Sequence, residues 1–270
     1  MNLPQKTVTS RDGTTIAYEM SGQGPVVVLV SSALADRSDT RKLAQRLSEA
    51  FTVINYDRRG RGHSTDAPDY SPDREVEDLE ALIDAVGEPI RLFGNSSGAV
   101  LALDAANALQ DRVVRLALYE PPLIIDNSRP PVPDALPDQI TRLAAAGRGS
   151  EAVKLFFRSA MGIPPLGVAF MRFMPGWSKS VAMASTAAYD LTLLQGLQSG
   201  KPLPAERWAS LTAPTLVLTG EKSEAFFHSG AKALAGALAH AEHRVLPRQH
   251  HGSVAMASQP IVEALVDFWK

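Results

Sequence analysis

The sequence predicts an α/β fold: a mostly parallel central sheet flanked by helices, with a helical cap inserted between two of the strands. Three observations predict it. Short apolar runs alternate with segments of helical spacing. One of these runs, Ile90 to Phe93, passes through a glycine-bounded turn directly into the small, apolar stretch Ala99 to Ala108. A proline-rich segment with many Phe, Met and Leu residues interrupts the alternation from Glu120 to about Trp208. Alternating βα units imply parallel strands joined by right-handed crossovers.

In chain order, Val8 and Thr15 to Met20 read as opening strands with Asp12-Gly13 as the hairpin turn between them. Val26 to Val30 is apolar at every position, as expected of a central parallel strand covered on both faces. Asp39 to Ala50 has helical spacing through Leu43 and Leu47, and Phe51 to Tyr56 is the next strand. Ser71-Pro72-Asp73 is a helix start, with proline at the first helical position and an acid in the first turn. That helix turns Val76, Leu79, Leu82, Ile83 and Val86 inward and stops at Gly87. After the turn-bearing strand and its helix comes a strand from Val113 to Tyr119. Pro121, Pro122, Pro130, Pro131, Pro133 and Pro137 then open the cap. Thr215 to Gly220 returns to the sheet, Phe226 to Leu238 is helical, Arg244 to Leu246 is a short strand, and Ile261 to Trp269 is a closing amphipathic helix. Residues 1–122 and 209–270 are therefore expected to form the core and 123–208 the cap.

The 270 residues suit one large domain of this kind. Charged residues make up 21% and the formal net charge is −2 with both signs mixed, so neither nucleic acid nor an anionic membrane is an expected partner. The expected partner is a small-molecule substrate, bound by a monomer or a homodimer. The absence of cysteine removes disulfides, thiolate metal sites and a Cys nucleophile, and fits a cytoplasmic location. Met1 to Ser10 has no apolar h-region, and no apolar run approaches a membrane span. No phosphate loop, dinucleotide fingerprint or metal cluster appears, so no cofactor is implied.

The chemistry centres on Gly94-Asn95-Ser96-Ser97-Gly98. Gly-x-Ser-x-Gly between a strand and a helix is the context of a nucleophile elbow: a sharp turn that lifts Ser96 above the sheet edge at a helix N-terminus. The glycines leave room for strand and helix to pass closely. Asn95-Ser96-Ser97 also reads as a glycosylation sequon, but an elbow is too confined for a glycan. Further motifs stand in register with the elbow: Asp57-Arg58-Arg59-Gly60-Arg61-Gly62-His63-Ser64, Tyr119-Glu120-Pro121-Pro122, the strand ending at Gly220, and Gln249-His250-His251-Gly252 before the last helix. Together they resemble the α/β-hydrolase fold superfamily over nearly the whole chain, most closely its small bacterial esterase-like members with a helical cap.

That resemblance implies a nucleophile, an acid and a histidine in this chain order. It aligns His251 with the catalytic histidine, with His250 as the alternative, while His63, His228, His240 and His243 read as surface residues. It implies an oxyanion hole from the amides of Ala33 and Ser97, with no part for the Ser97 hydroxyl. Two departures stand out. Ser31-Ser32 occupies the place where the family usually has His-Gly, and the usual acid position is Ser223, which carries no carboxylate. Glu120, at the end of the strand after the elbow helix, is the expected acid, as in some branches of the superfamily; Glu224 and Glu221 compete. Leu34, Phe157, Met161, Phe173 and Trp177 are expected to line the substrate pocket, with Phe156, Met171, Met174 and Met183 divided between pocket and helix packing. Arg58 and Arg59 read as structural rather than as substrate clamps, and Asp190 as a solvated helix acid rather than a residue pointing into the pocket.

The expected activity is hydrolysis of a carboxylic ester of an apolar small molecule by Ser96, His251 and Glu120 through an acyl-enzyme. The alternatives are a lyase, cyclase or perhydrolase on the same scaffold, which the missing His-Gly mildly favours, and a non-catalytic ligand-binding member.

Overall fold

The computed structural model describes residues 3–270. Among them eight strands form one sheet: β1 (Lys6–Thr9), β2 (Thr15–Ser21), β3 (Val26–Val30), β4 (Thr52–Tyr56), β5 (Ile90–Asn95), β6 (Val113–Tyr119), β7 (Thr215–Gly220) and β8 (Ala241–Leu246). Their spatial order is β1-β2-β4-β3-β5-β6-β7-β8. β2 runs antiparallel to both β1 and β4, and every pair from β4 to β8 is parallel. The crossovers carry α1 (Arg37–Leu47), α2 (Pro72–Val86), α3 (Ser97–Leu109) and α9 (Ala225–Ala237), and α10 (Gln259–Trp269) closes the chain. Between β6 and β7 stand five more helices: α4 (Leu136–Ala145), α5 (Gly149–Ser159), α6 (Pro165–Met171), α7 (Trp177–Ala182) and α8 (Ala187–Leu193).

Strand alternation divides the core into two layers. On β3, Val26, Val28 and Val30 face a layer shared with α2, α3 and α9, while Val27 and Leu29 face α1 and α10. This is why all five residues of β3 are apolar and buried. A third cluster belongs to the inserted helices, where Leu136, Ile140, Val153, Phe156 and Leu191 pack together with Leu34 of the body.

Local sequence accounts for the helix ends. α1 begins two residues before the apolar pattern predicts, because Asp36 and Asp39 form a reciprocal capping box with the backbone amides of the first turn. α2 starts at Pro72 and ends at Gly87, whose φ of 77° is open to glycine at no steric cost. Its inward face is not purely apolar: Glu75 and Asp78 are buried beside Leu79, Leu82 and Ile83. β8 starts at Ala241, earlier than its apolar residues indicate, because backbone pairing with β7 carries a largely exposed strand.

The elbow depends on bare backbone contact. A Cβ on Gly94 would lie 2.3 Å from the carbonyl oxygen of Gly98, and one on Gly98 would lie 2.4 Å from that of Ser31. Gly94→Ala should therefore destabilise the fold by about 1–3 kcal/mol through overpacking that no side-chain motion relieves. Gly236→Ala, where an added Cβ meets nothing within 4 Å, should instead raise stability by a few tenths to about 1 kcal/mol. Denaturant unfolding of the two variants beside the parent reads both signs.

Candidate active site

Ser96 sits at the junction of β5 and α3 with φ 56° and ψ −125°, a conformation rarely adopted by residues other than glycine. Two bonds hold the turn there. The Ser96 amide donates to the Tyr119 carbonyl on β6 at 2.9 Å, and the Ser96 carbonyl accepts from Ala99 in the first turn of α3. The side chain opens into a cavity of about 460 Å³ bounded by the ends of the strands below and by α5 and α8 above. The positive end of α3 points at the same place.

His251 lines this cavity from the loop after β8. Its Nδ1 lies 2.7 Å from Oε2 of Glu120, and its ring stacks on Phe227 with centroids 4.6 Å apart. Glu120 is fully buried. Its other oxygen, Oε1, accepts from the Gly220 amide at 2.7 Å and from the Ser223 hydroxyl. The residue at the family's usual acid position thus supports a carboxylate that comes from the neighbouring strand. Register explains the exchange: β6 lies between β5 and β7, with Tyr119 opposite both Asn95 and Leu218, so the residue after Tyr119 stands between the elbow and Gly220. A positive φ of 49° turns Glu120 into that space. Glu221 instead accepts from the Arg248 amide, and Glu224 is exposed on the cavity rim. His250 faces outward, where its Nδ1 accepts from the Gly252 amide and caps the turn that presents His251.

Ala33 and Ser97 both line the cavity, and among the described residues neither backbone amide has a protein acceptor. Ser32, in the place of the family's glycine, does not need a left-handed backbone; that conformation falls on Leu34, at φ 52°. The loop is held by carbonyl bonds instead. Arg58 donates to the Ser31 carbonyl, and Arg61 donates to that of Ser32 at 2.7 Å.

Those arginines belong to a buried ionic cluster that corrects two expectations. Asp190 is not a solvated helix acid. Projecting from α8, it is fully buried and accepts from Arg58 at 2.7 Å, Arg61 at 2.6 Å and the Ser97 hydroxyl at 2.7 Å. The Ser97 side chain therefore has a structural bond in addition to its amide. Arg58 also forks onto both oxygens of Glu75, which Tyr70 bonds in turn while stacking on Tyr189. Arg59 pairs with Asp78 and Asp12. Burial alone would raise the Asp190 carboxyl, but the Arg61 and Arg58 charges outweigh it and hold the group below the ordinary carboxylate range. Glu75 is likewise lowered, burial being outweighed by Arg58. Asp78 moves the other way, because burial outweighs its bond to Arg59. The signal present in the sequence was three arginines in one short loop, which need counter-charges if that loop is buried; nothing local identified Asp190 as one of them.

Of the expected pocket residues, Leu34, Phe157 and Met161 line the cavity. Trp177 lies behind it, tilted against Phe157 at 6.3 Å between centroids. Phe173 is corrected: it is 77% exposed in the turn between α6 and α7, with the Arg172 guanidinium over its ring. A turn between two short helices carries no periodicity to say which of its side chains meets the body. Phe226 and Phe227, at the start of α9, are cavity residues that pattern reasoning assigned only to a helix face. His243 is half-buried rather than a surface residue, hydrogen-bonded to Thr219 at 2.9 Å.

Residues 27–264 match the model of a family described as the alpha/beta hydrolase family. An alpha/beta hydrolase of known structure from Sphaerobacter thermophilus is 44% identical and superposes with a TM-score of 0.89, covering 98% of this chain and 100% of its own. A thermophilic esterase from Thermogutta terrifontis, solved with malate bound, shares the fold at 23% identity and a TM-score of 0.73, with 98% of each chain covered. Among curated proteins, the uncharacterized hydrolase YraK of Bacillus subtilis is 32% identical over 116 residues, 42% of this chain and 43% of that protein. Zearalenone hydrolase of Cladophialophora bantiana is 28% identical over 156 residues, 55% of this chain and 59% of that protein. The chain spans about half the length of the curated relatives it matches.

Asp190→Asn should cost about 3–5 kcal/mol, because Arg61 loses the carboxylate that is its only one among the described residues while remaining buried. Asp190 and Glu75 have ordinary values of 3.8 and 4.5 and are lowered in the fold, so their stabilisation is complete above those values and is lost as the pH falls below them. Acid titration of the unfolding free energy should show a shallower decline in Asp190→Asn than in the parent. An equally stable variant with an unchanged acid limb would leave the cluster without an energetic role.

Proposed function

This chain belongs to the alpha/beta hydrolase family, and we propose that it is a serine hydrolase cleaving a carboxylic ester of a small, largely apolar molecule through an acyl-enzyme. The observation that carries this reading is the 2.7 Å contact of His251 Nδ1 with Glu120 in the cavity that also receives Ser96. A carboxylate on Nδ1 fixes the tautomer that leaves Nε2 free as a base. In this reading Nε2 takes the Ser96 proton as Oγ attacks the ester carbonyl, and the imidazolium that forms is stabilised by Glu120. The oxyanion is received by the Ala33 and Ser97 amides, both available for donation. Return of the proton to the leaving alcohol collapses the tetrahedral adduct to an acyl-serine. Water, activated by the same histidine, then releases the acid and restores Ser96.

Burial supports the assignment of the acid. Glu120 is screened from water and fixed by two donors on Oε1, so Oε2 is left to the histidine in one position. Phe227 stacked against the ring restricts the imidazole further.

A fluorophosphonate probe should label Ser96 in the parent and leave Ser96→Ala unlabelled. With p-nitrophenyl esters, Ser96→Ala should lower turnover by about four to six orders of magnitude, and Glu120→Gln by about three to four. Glu224→Gln should change turnover of a neutral ester by less than about tenfold. Turnover in Ser96→Ala within tenfold of the parent would sink the nucleophile assignment, and a larger loss in Glu224→Gln than in Glu120→Gln would move the acid.

A further inference from the structure

The arginines buried in the body of this protein are matched to carboxylates: Arg37 to Glu19 and Asp57, Arg58 to Glu75 and Asp190, Arg59 to Asp12 and Asp78, Arg61 to Asp190. Arg129 departs from this pattern. It lies between β6 and α4, half-buried, and lines the same cavity as Ser96 and His251. Among the described residues it makes no salt bridge, and its one hydrogen bond to protein is from Nη2 to the Ala160 carbonyl at 2.7 Å. The Phe226 ring lies 4.8 Å from its Cζ. Glu224 acts on its charge from the exposed rim, beyond pairing distance. Burial lowers the Arg129 pKa, with Glu224 opposing only in part, yet a guanidinium stays charged at any working pH.

A guanidinium presents five N–H donors in a planar fork that matches a carboxylate. Here one donor is committed to Ala160 and one face is covered by Phe226, while the rest of the cavity wall supplies Leu34, Phe157, Met161 and Leu194. A partly dehydrated cation with most of its donors unassigned, in a pocket whose wall is mostly apolar although Asp39, Asp190 and Glu224 also line it, is arranged to receive an anion from the ligand. We propose that Arg129 is an anion anchor of the substrate pocket, and that the ester taken by this protein carries a carboxylate away from the scissile bond. The identity of the cleaved bond rests on the serine-hydrolase reading; the binding of the anion does not. Ser96, His251 and Arg129 line the same cavity, and Phe226 and Phe227 stand between the guanidinium and the His251 ring, so a carboxylate held by Arg129 orients the substrate toward the serine and histidine. Glu224 repels the same anion from the rim and limits how tightly it is held.

The test compares p-nitrophenyl monoesters of glutarate, adipate and pimelate with their methyl-capped neutral counterparts, each corrected for spontaneous hydrolysis. The readout is the ratio of kcat/KM for the anionic ester to that for its neutral partner. The parent should favour the anionic form at one chain length or more. Arg129→Met should lower that ratio by about tenfold to a hundredfold, the scale of one charge-assisted pair in a partly dehydrated site. Glu224→Gln should raise it. An unchanged ratio in Arg129→Met overturns the proposal. A second measurement needs no variant at Arg129: adipate should inhibit hydrolysis of a neutral ester by the parent more tightly than adipamide does, and equal or absent inhibition overturns the proposal too. If no ester is turned over, the hydrolase reading fails by itself. Titration calorimetry of adipate into Ser96→Ala then decides the anion site: heat lost on adding Arg129→Met supports it, and no heat, or equal heat, overturns it.

Discussion

Asp190 lies between the guanidinium groups of Arg58 and Arg61 with no exposure to solvent, and the placement of the site around it depends on that arrangement. Removing these charges from water costs several kcal/mol per ion, so the cluster persists only because nearly all of its donors and acceptors are matched. Among the described residues, Arg61 Nε is the one buried member of the cluster without a partner. The matching has a geometric consequence. Asp190 comes from α8 in the inserted helices, Ser97 from the elbow, and the carbonyls of Ser31 and Ser32 from the loop after β3. A single carboxylate therefore joins the inserted helices to the elbow and to the loop after β3, the two segments that bring Ser97 and Ala33 to the cavity. The Lys179 contacts with Asp36 and Asp39 are a second tether, at the start of α1, but they are partly exposed and correspondingly weak.

Above this base the site is made of close backbone approaches rather than of particular side chains. Gly94, Gly98 and Gly220 each stand where an added Cβ would fall within 2.5 Å of another segment's backbone or of the helix that follows. Such proximity brings the ends of β3, β5, β6 and β7 to one line, the carboxyl edge of the parallel sheet, where α/β folds gather their functional groups. It also explains how a carboxylate from β6 reaches the Ser223 hydroxyl in the loop after β7. Adjacent parallel strands end side by side, so a left-handed turn at Glu120 carries a carboxylate to the histidine, and the Ser223 hydroxyl becomes its support.

Much of this was legible in the sequence because it is local. The run of five apolar residues in β3, the proline start and glycine stop of α2, and the elbow between β5 and α3 each declare themselves within a few residues. Ser96 stands in such a local pattern, whereas His251 and Glu120 were nameable only through the resemblance to the α/β-hydrolase superfamily, with His250, Glu224 and Glu221 as alternatives. The inserted helices were legible as helices, but their orientation was not. Phe157 and Phe173 look alike in sequence, yet Phe157 on α5 lines the cavity and Phe173, in the turn between α6 and α7, is exposed, because packing against the body decides which side chains are covered.

The sequence by itself determined the order of strands and helices, the elbow, and the residue types available to the site, through periodicity, turn chemistry and backbone sterics that act over a few residues. Only the tertiary structure decided which charges are buried together. Asp190 is 132 residues from Arg58 and 93 from Ser97 along the chain, and Arg129 has no carboxylate partner among the described residues although several acids stand nearby in sequence. Pairing energy depends on separation in space and on the local loss of water, and neither quantity is carried by position in the chain.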